Sequence, residues 1–366
     1  MTLAEKLLPW LCLKTAPEVG IKTALRILEL YGTPQNFVGK AEHPLYEDQF
    51  LSDKTKAHLQ EAKEPKCLSQ IQKLCTHYEI GFTSILDEDY PEALSNIYSP
   101  PLLIYYRGDI SAVNSGKILA VVGTRKPSAY GREMTKKLLT PLCERKVKII
   151  SGLAMGIDTI AHQTAVASGA PTIAVLAGGV EEIYPAMNRE LAQKIINNGV
   201  ILSEYEPGSK MERWNFPARN RIVSALSEAV FIVEGSMSSG AMLTGKFALE
   251  QNREVLALPG NINITNAQGP NYLIKTGATV VTCTEDLLRC MGIEAEEHIE
   301  QMDIFDHLSE NEQRIYAVFR AEQRNLSFDE LMIITSESFG QLSVALLNLE
   351  LKGVIAKAGG NSYIML

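Results

Sequence analysis

The sequence predicts an α/β fold: a doubly wound, mostly parallel sheet, with a small helical module before it and a winged helix after it. Three observations lead there. Seven short apolar runs between residues 118 and 281 alternate with helical patterns. Almost every run ends in a turn rich in glycine or hydroxyl groups. On either side of this region the apolar period is that of helices. Near-continuous apolar strands are what a sheet covered on both faces by helices requires.

Residues 1–80 open the chain as the helical module. Leu7, Leu8 and Leu11, then Ile21, Leu25 and Leu28, recur at helical intervals, interrupted by Pro17, Gly20, Gly32 and Pro34. The turn Pro17-Glu18-Val19-Gly20 before a helix is a faint helix-hairpin-helix pattern, in which turn amides meet a DNA phosphate. Glu18 carries the wrong charge for that task, so packing is the favoured reading. Residues 99–108 form a turn leading into a strand that joins this module to the main domain, 81–290. Strands are expected at 118–122, 147–150, 172–176, 200–202, 229–233, 254–258 and 278–281. An acidic linker follows at 291–308. Helices near 313–320, 328–334 and 341–351, then strands at 353–356 and 362–365, describe a winged helix over 309–366. Its third helix offers only Lys352 as a cation, which favours an interaction or packing role over reading a DNA groove.

Composition narrows the class. A chain of 366 residues exceeds what one core normally serves. Its six cysteines form no CxxC pair and no metal-ligand array, which suits a reduced cytosol better than a disulfide framework. Glu5 and Lys6 interrupt the first apolar run, and no small-residue cleavage site follows, so a core helix is expected there rather than a signal peptide. No stretch of about eighteen uncharged apolar residues predicts a membrane span. The net charge is -8, yet residues 120–225 carry 14 basic against 9 acidic side chains, and residues 285–366 carry 6 against 15. Phosphates would be drawn to the middle of the chain and repelled by its tail.

Ligands of open α/β sheets collect beyond the carboxyl ends of the strands, where every notable motif lies. After the first strand of the series, Gly123 permits a tight turn, Arg125 and Lys126 can hold phosphate, and a helix begins near Pro127. This loop is neither GxGxxG nor GxxxxGK[ST], and the second strand ends in Ser151-Gly152 rather than in an acid for a ribose; both absences argue against an NAD-dependent enzyme. Ser151, Gly152 and Gly156 make an anion nest, and Asp158 with His162, one helical turn apart, is expected to form a hydrogen bond that fixes the helix start. Gly178 and Gly179 let a bound chain approach, and Tyr184 can stack on a base. Phe216 precedes Arg219, Asn220 and Arg221, combining a ring with charge. Ser239, Gly240, Thr244 and Lys246 open another helix suited to phosphate, and Glu234 is expected to orient Arg125 or Arg221 across the sheet edge. Several anion-friendly turns without a nucleophile, metal cluster or paired carboxylates suggest a polymer backbone spread over the rim, with no metal and no cofactor.

In order, GTRKPSAYG, SGLAMGIDTIAH, AVLAGGVEEIYP, LSEYEPG, FPARNR, EGSMSSGAMLTGKFALE and LALPG resemble the DprA/Smf family of DNA-processing proteins. The resemblance is close over residues 90 to 290. It implies an extended Rossmann-like domain between a SAM-like helical domain and a winged helix. It also implies a cytoplasmic, non-enzymatic homodimer that binds single-stranded DNA without sequence preference and loads RecA recombinase on incoming DNA during natural transformation. Arg125, the 151–158 turn, residues 219–221 and the segment from Ser239 to Lys246 fall on the family's motifs, while Met155 stands where many members carry arginine. The residues alone leave two other readings open: a nucleotide-binding or nucleotide-processing enzyme using the same phosphate site, and a scaffold recruiting partners through its winged helix.

Overall fold

The computed structural model describes residues 3–65, 67–293, 308–322, 324–352, 354–358 and 361–365. They belong to two compact units, 1–294 and 295–366. Nearly all of the acidic linker expected at 291–308 lies outside the described residues, as do Gly353, Gly359 and Gly360 of the expected wing.

In the first unit, α1 (Leu3–Thr15), α2 (Ile21–Tyr31), α3 (Asp53–Glu61) and α4 (Leu68–Tyr78) precede β1 (Gly81–Ser84), α5 (Glu92–Ser95) and β2 (Leu103–Gly108). Strand and helix then alternate: β3 (Ile118–Val122), α6 (Ala129–Glu144), β4 (Lys148–Ser151), α7 (Ile157–Ala167), β5 (Thr172–Val175), α8 (Arg189–Asn197), β6 (Val200–Ser203) and α9 (Asn215–Ala225). The series continues with β7 (Ala229–Ile232), α10 (Gly240–Glu250), β8 (Glu254–Ala257), α11 (Gln268–Lys275), β9 (Thr279–Val280) and α12 (Thr284–Cys290). The nine strands lie in the order β1-β2-β6-β5-β4-β3-β7-β8-β9. All pairs from β6 to β9 are parallel, whereas β1 and β2 run antiparallel at one edge. The doubly wound sheet is therefore present. β1 is an addition: Gly81-Phe82-Thr83-Ser84 holds one large apolar side chain and lacks the apolar run that marks the inner strands.

The topology places the crevice. From β3 the chain winds outward through β4, β5 and β6, then returns to lay β7 on the other side of β3. The loops leaving β3 and β7 start side by side and diverge over opposite faces, which opens a hollow at the carboxyl end of the sheet.

The helices before the sheet have no separate core. Leu7, Trp10 and Leu11 of α1, Ile27 of α2, Leu59 of α3 and Ile71 of α4 join one apolar cluster with Tyr105 of β2, Ala174 of β5 and Ile201 of β6. Each fully buried leucine or isoleucine among them contributes about 1.5–3 kcal/mol. The turn at 17–20 belongs to this packing: Thr55 Oγ1 donates to the Pro17 carbonyl at 2.7 Å, and Val19 and Gly20 help line a small hollow against residues 99–103. On the other sheet face, Ile222 and Val223 of α9 and Ala241 and Ala248 of α10 cover Ala120, Ile150, Ile173 and Val230.

The second unit contains α13 (Glu310–Glu322), β10 (Leu326–Ser327), α14 (Phe328–Thr335), α15 (Phe339–Leu351), β11 (Ile355–Lys357) and β12 (Ser362–Met365), with its strands antiparallel in the order β10-β12-β11. This is the winged helix expected from the sequence. Lys352 is bound to the buried Glu312 at 2.6 Å, and the outer side of α15 exposes Phe339, Val344, Leu347 and Leu351. No helix among the described residues is long and apolar enough to cross a membrane.

Candidate functional site

The loop after β3 is built to hold one arginine outward. Gly123 has no space for a side chain because Ile157 packs where its Cβ would stand, 2.5 Å from Cγ1. The Thr124 amide donates to the Glu234 carbonyl at 2.7 Å, and the Thr124 carbonyl accepts from the Ile157 amide at 3.2 Å. Ser128 caps α6 by accepting from the Gly131 amide at 3.0 Å. Between these anchors Arg125 and Lys126 are exposed, and the Arg125 guanidinium lies 5.5 Å from the centre of the Phe216 ring.

The second turn, expected to receive an external anion, is filled from within. Asp158 accepts from the amides of Gly152 at 3.1 Å and Ala154 at 3.4 Å, and Ser151 Oγ donates to the Val121 carbonyl at 2.6 Å. Gly156, at φ +86°, lies against the Thr124 and Arg125 backbone where any side chain would collide. Asp158 and His162 do not pair as expected. His162 Nδ1 bonds Thr172 Oγ1 at 2.7 Å, so the two side chains on one helix serve different strands. Burial raises the Asp158 carboxyl, opposed by the nearby Arg219, and pushes His162 down to about 3, so the imidazole is neutral at physiological pH.

Residues 219–221 point three ways. Arg219 is buried: Nη1 donates to the Gly152 carbonyl at 2.8 Å and to the Val175 carbonyl, and burial brings its guanidinium down to about 10. Asn220 faces the crevice and donates to the Gly240 carbonyl at 3.2 Å. Arg221 turns away from it, gripping Glu204 through both guanidinium nitrogens at 2.8 and 2.6 Å and donating from Nε to the Ser99 carbonyl. Arg221 therefore does not line the crevice, whereas Arg219 does line its wall, with the guanidinium committed to main-chain carbonyls. Arg221→Ala is expected to cost about 1.5–3 kcal/mol of stability, by loss of charge-assisted bonds, which urea unfolding checks.

The other expected residues divide in the same way. Gly178 and Gly179 are buried, and their near neighbours are Met211 and Glu181 of this chain rather than open space. Tyr184 is 52% exposed and meets Phe216 edge-on, with ring centres 6.2 Å apart. Ser239 and Gly240 sit at the start of α10 on the crevice wall, and the Ser239 hydroxyl has no hydrogen-bond partner among the described residues. Thr244 also lines the wall, with its hydroxyl donating to the Gly240 carbonyl at 3.2 Å. Lys246 is exposed further along α10, 3.7 Å from Glu250, and does not line the crevice. Glu234 bonds neither arginine: its carboxyl accepts from the Ser128 amide at 2.9 Å and hydroxyl at 2.5 Å.

Two hollows result. A crevice of about 520 Å³ is lined by Gly123, Arg125, Lys126, Asn220, Ser239 and Gly240 among others. Beside it, a groove of about 880 Å³ is lined by Arg125, Glu182, Tyr184, Lys210, Met211, Arg213 and Phe216. Arg125 and Phe216 belong to both. Lys210, Arg213 and Asn266 were not foreseen. The two cations follow β6 at a strand end, a signal the sequence does contain, but they lie in a long segment with no glycine-rich turn of its own. No group of three or more histidine, cysteine or acidic side chains is placed to hold a metal among the described residues.

An open sheet whose switch point carries exposed cations, the amide end of a helix and aromatic faces is an arrangement suited to phosphate-bearing ligands at its carboxyl rim. The chain belongs to the DprA/Smf family of DNA-processing proteins: the family model for DNA recombination-mediator protein A matches residues 81–292, and that for the DprA winged helix domain matches residues 306–361. It is 40% identical to the DNA processing protein DprA of Bacillus subtilis over 216 residues, covering 58% of this chain and 73% of that protein. It is 35% identical to the protein Smf of Synechocystis over 310 residues, covering 76% and 78%. The X-ray structure of DNA processing protein A from Streptococcus pneumoniae superposes with a TM-score of 0.67 at 32% identity, over 81% of this chain and 100% of that one. DNA processing protein A from Helicobacter pylori, whose structure concerns a single-stranded DNA binding mode, gives a TM-score of 0.53 at 30% identity, over 58% and 96%.

Proposed function

We propose that this chain binds single-stranded DNA without sequence preference along the crevice and groove, and that as a cytoplasmic homodimer it loads RecA on incoming DNA during natural transformation. The observation that carries the DNA part is the place of Arg125: exposed, at the shared wall of two adjoining hollows, against an aromatic ring. A cation at such a junction can hold a phosphate between two bases, and Tyr184 and Phe216 offer faces to bases that only an unpaired strand exposes. Gly123, Lys126, Asn220, Ser239 and Gly240 on one side, with Lys210 and Arg213 on the other, extend the path. Ser151, Gly152, Gly156, Asp158, Arg219 and Thr244 then serve as its frame. The recombinase and dimer assignments rest on membership in a family described as a recombination mediator.

The role is binding rather than catalysis. The alternative, a nucleotide-processing enzyme using the same sheet-end anion site, would be favoured by a buried glutamate beside bound phosphate; Glu234 is buried, but its carboxyl is spent on Ser128. The test titrates unrelated deoxyoligonucleotides and the matching duplexes across a salt series. Expected are similar affinities for all single strands, weaker duplex binding and a linear decline with the logarithm of salt. Preference for duplex, or release of a base or phosphate from a nucleotide panel, would overturn the reading.

A further inference from the structure

We infer that Glu234 is a positioning residue, holding the Arg125 loop in its binding arrangement through Ser128. It lies two residues beyond the end of β7, at the switch point, and is 4% exposed. A buried carboxyl is costly unless its bonds are made, and here they are spent on one short loop. The main-chain carbonyl of Glu234 takes the Thr124 amide at 2.7 Å, and its carboxyl takes both the amide and the hydroxyl of Ser128. Thr124 and Ser128 are the two ends of the stretch that carries Arg125 and Lys126, so one residue closes it from both sides. Gly131 is bare because the Glu234 carboxyl occupies the place of its Cβ, 2.5 Å from the carboxyl carbon. A third tie runs from Asn266, whose side-chain amide donates to the Lys126 carbonyl at 3.1 Å while its own carbonyl accepts from the Gly235 amide at 2.6 Å. Glu234 makes no ion pair with another described residue, and its carboxyl lies at the amide end of α6, where the helix dipole favours an acceptor.

The inference rests on the proposed DNA reading, and it adds that the guanidinium reaches the ligand already ordered. An unordered loop would have to be fixed on binding, which weakens affinity roughly three- to tenfold for one such side chain. The test is a double-mutant cycle on full-length protein with a dT20 oligonucleotide, using Glu234→Gln, Arg125→Ala and the double variant, each checked for folding by circular dichroism and thermal melting. Expected is a three- to tenfold loss for Glu234→Gln alone and little further loss when Arg125 is already alanine. Should Glu234→Gln not fold, Ser128→Ala removes the hydroxyl bond to the same carboxyl, together with the cap on Gly131, leaves the amide bond in place, and takes its place in the cycle. Wild-type affinity in a folded variant, or losses that simply add, would overturn the inference, because a merely structural role lowers the melting temperature without depending on Arg125. If Arg125→Ala alone changes nothing, the DNA reading itself fails and takes the inference with it; an effect of Arg125→Ala beside an inert Glu234→Gln removes only the inference.

Discussion

Arg125→Ala is expected to weaken binding of every single-stranded oligonucleotide by the same factor, about 10- to 100-fold, because a charge-assisted bond to phosphate is worth roughly 1.5–3 kcal/mol. The slope of log affinity against log salt should become shallower by about 0.7, the contribution of one phosphate contact on a single strand. No other cation among the described residues is so placed: its backbone is fixed by Thr124 and Ser128, its side chain is exposed, and both hollows use it. Stability should hardly change, since Arg125 makes no ion pair with another described residue. Fluorescence anisotropy at four or five salt concentrations reads both quantities, and a loss confined to one sequence would contradict a backbone contact.

Arg219→Ala is expected to act oppositely, destabilising the fold by about 3–5 kcal/mol, the usual cost of leaving a buried partner uncompensated. The guanidinium ties the carbonyls of Gly152 and Val175 together beneath the rim and offsets Asp158, whose own carboxyl holds the 152–154 turn. Removing it opens space beside Gly152, which lacks a side chain because the guanidinium lies against it. Urea unfolding should show an earlier midpoint. DNA affinity, corrected for the folded fraction, should stay within a few fold of wild type. A stable variant with greatly reduced affinity would place Arg219 in contact with ligand after all.

Much of this molecule was legible from local pattern. Runs such as 118–122 and 229–233, each four or five apolar residues ending at a turn, are recognisable because strand burial on both faces imposes a composition on successive residues. The winged helix was legible from the helical spacing of its apolar residues and the strands that follow. Arginines of identical type in one stretch were not. Positions 219, 220 and 221 lie on consecutive residues of α9, each turned about 100° from the last, so Arg219 is drawn into the crevice wall onto main-chain carbonyls, Asn220 faces the crevice and Arg221 reaches Glu204. At 151–156 the amides of Gly152 and Ala154 meet a carboxylate, but it belongs to Asp158 of the same turn.

By itself, then, the amino-acid order determined which segments become strands and helices, and that their glycine-rich ends gather on one side of a sheet, since those properties follow from periodicity and backbone freedom within a few residues. Only the tertiary structure decided which cations remain available to a ligand. That choice depends on partners brought close by strand order, such as Glu204 for Arg221, Gly152 and Val175 for Arg219, and Glu234 for Ser128 across 106 positions of sequence. Burial and pairing remove a charge from the surface without altering the motif in which it is written.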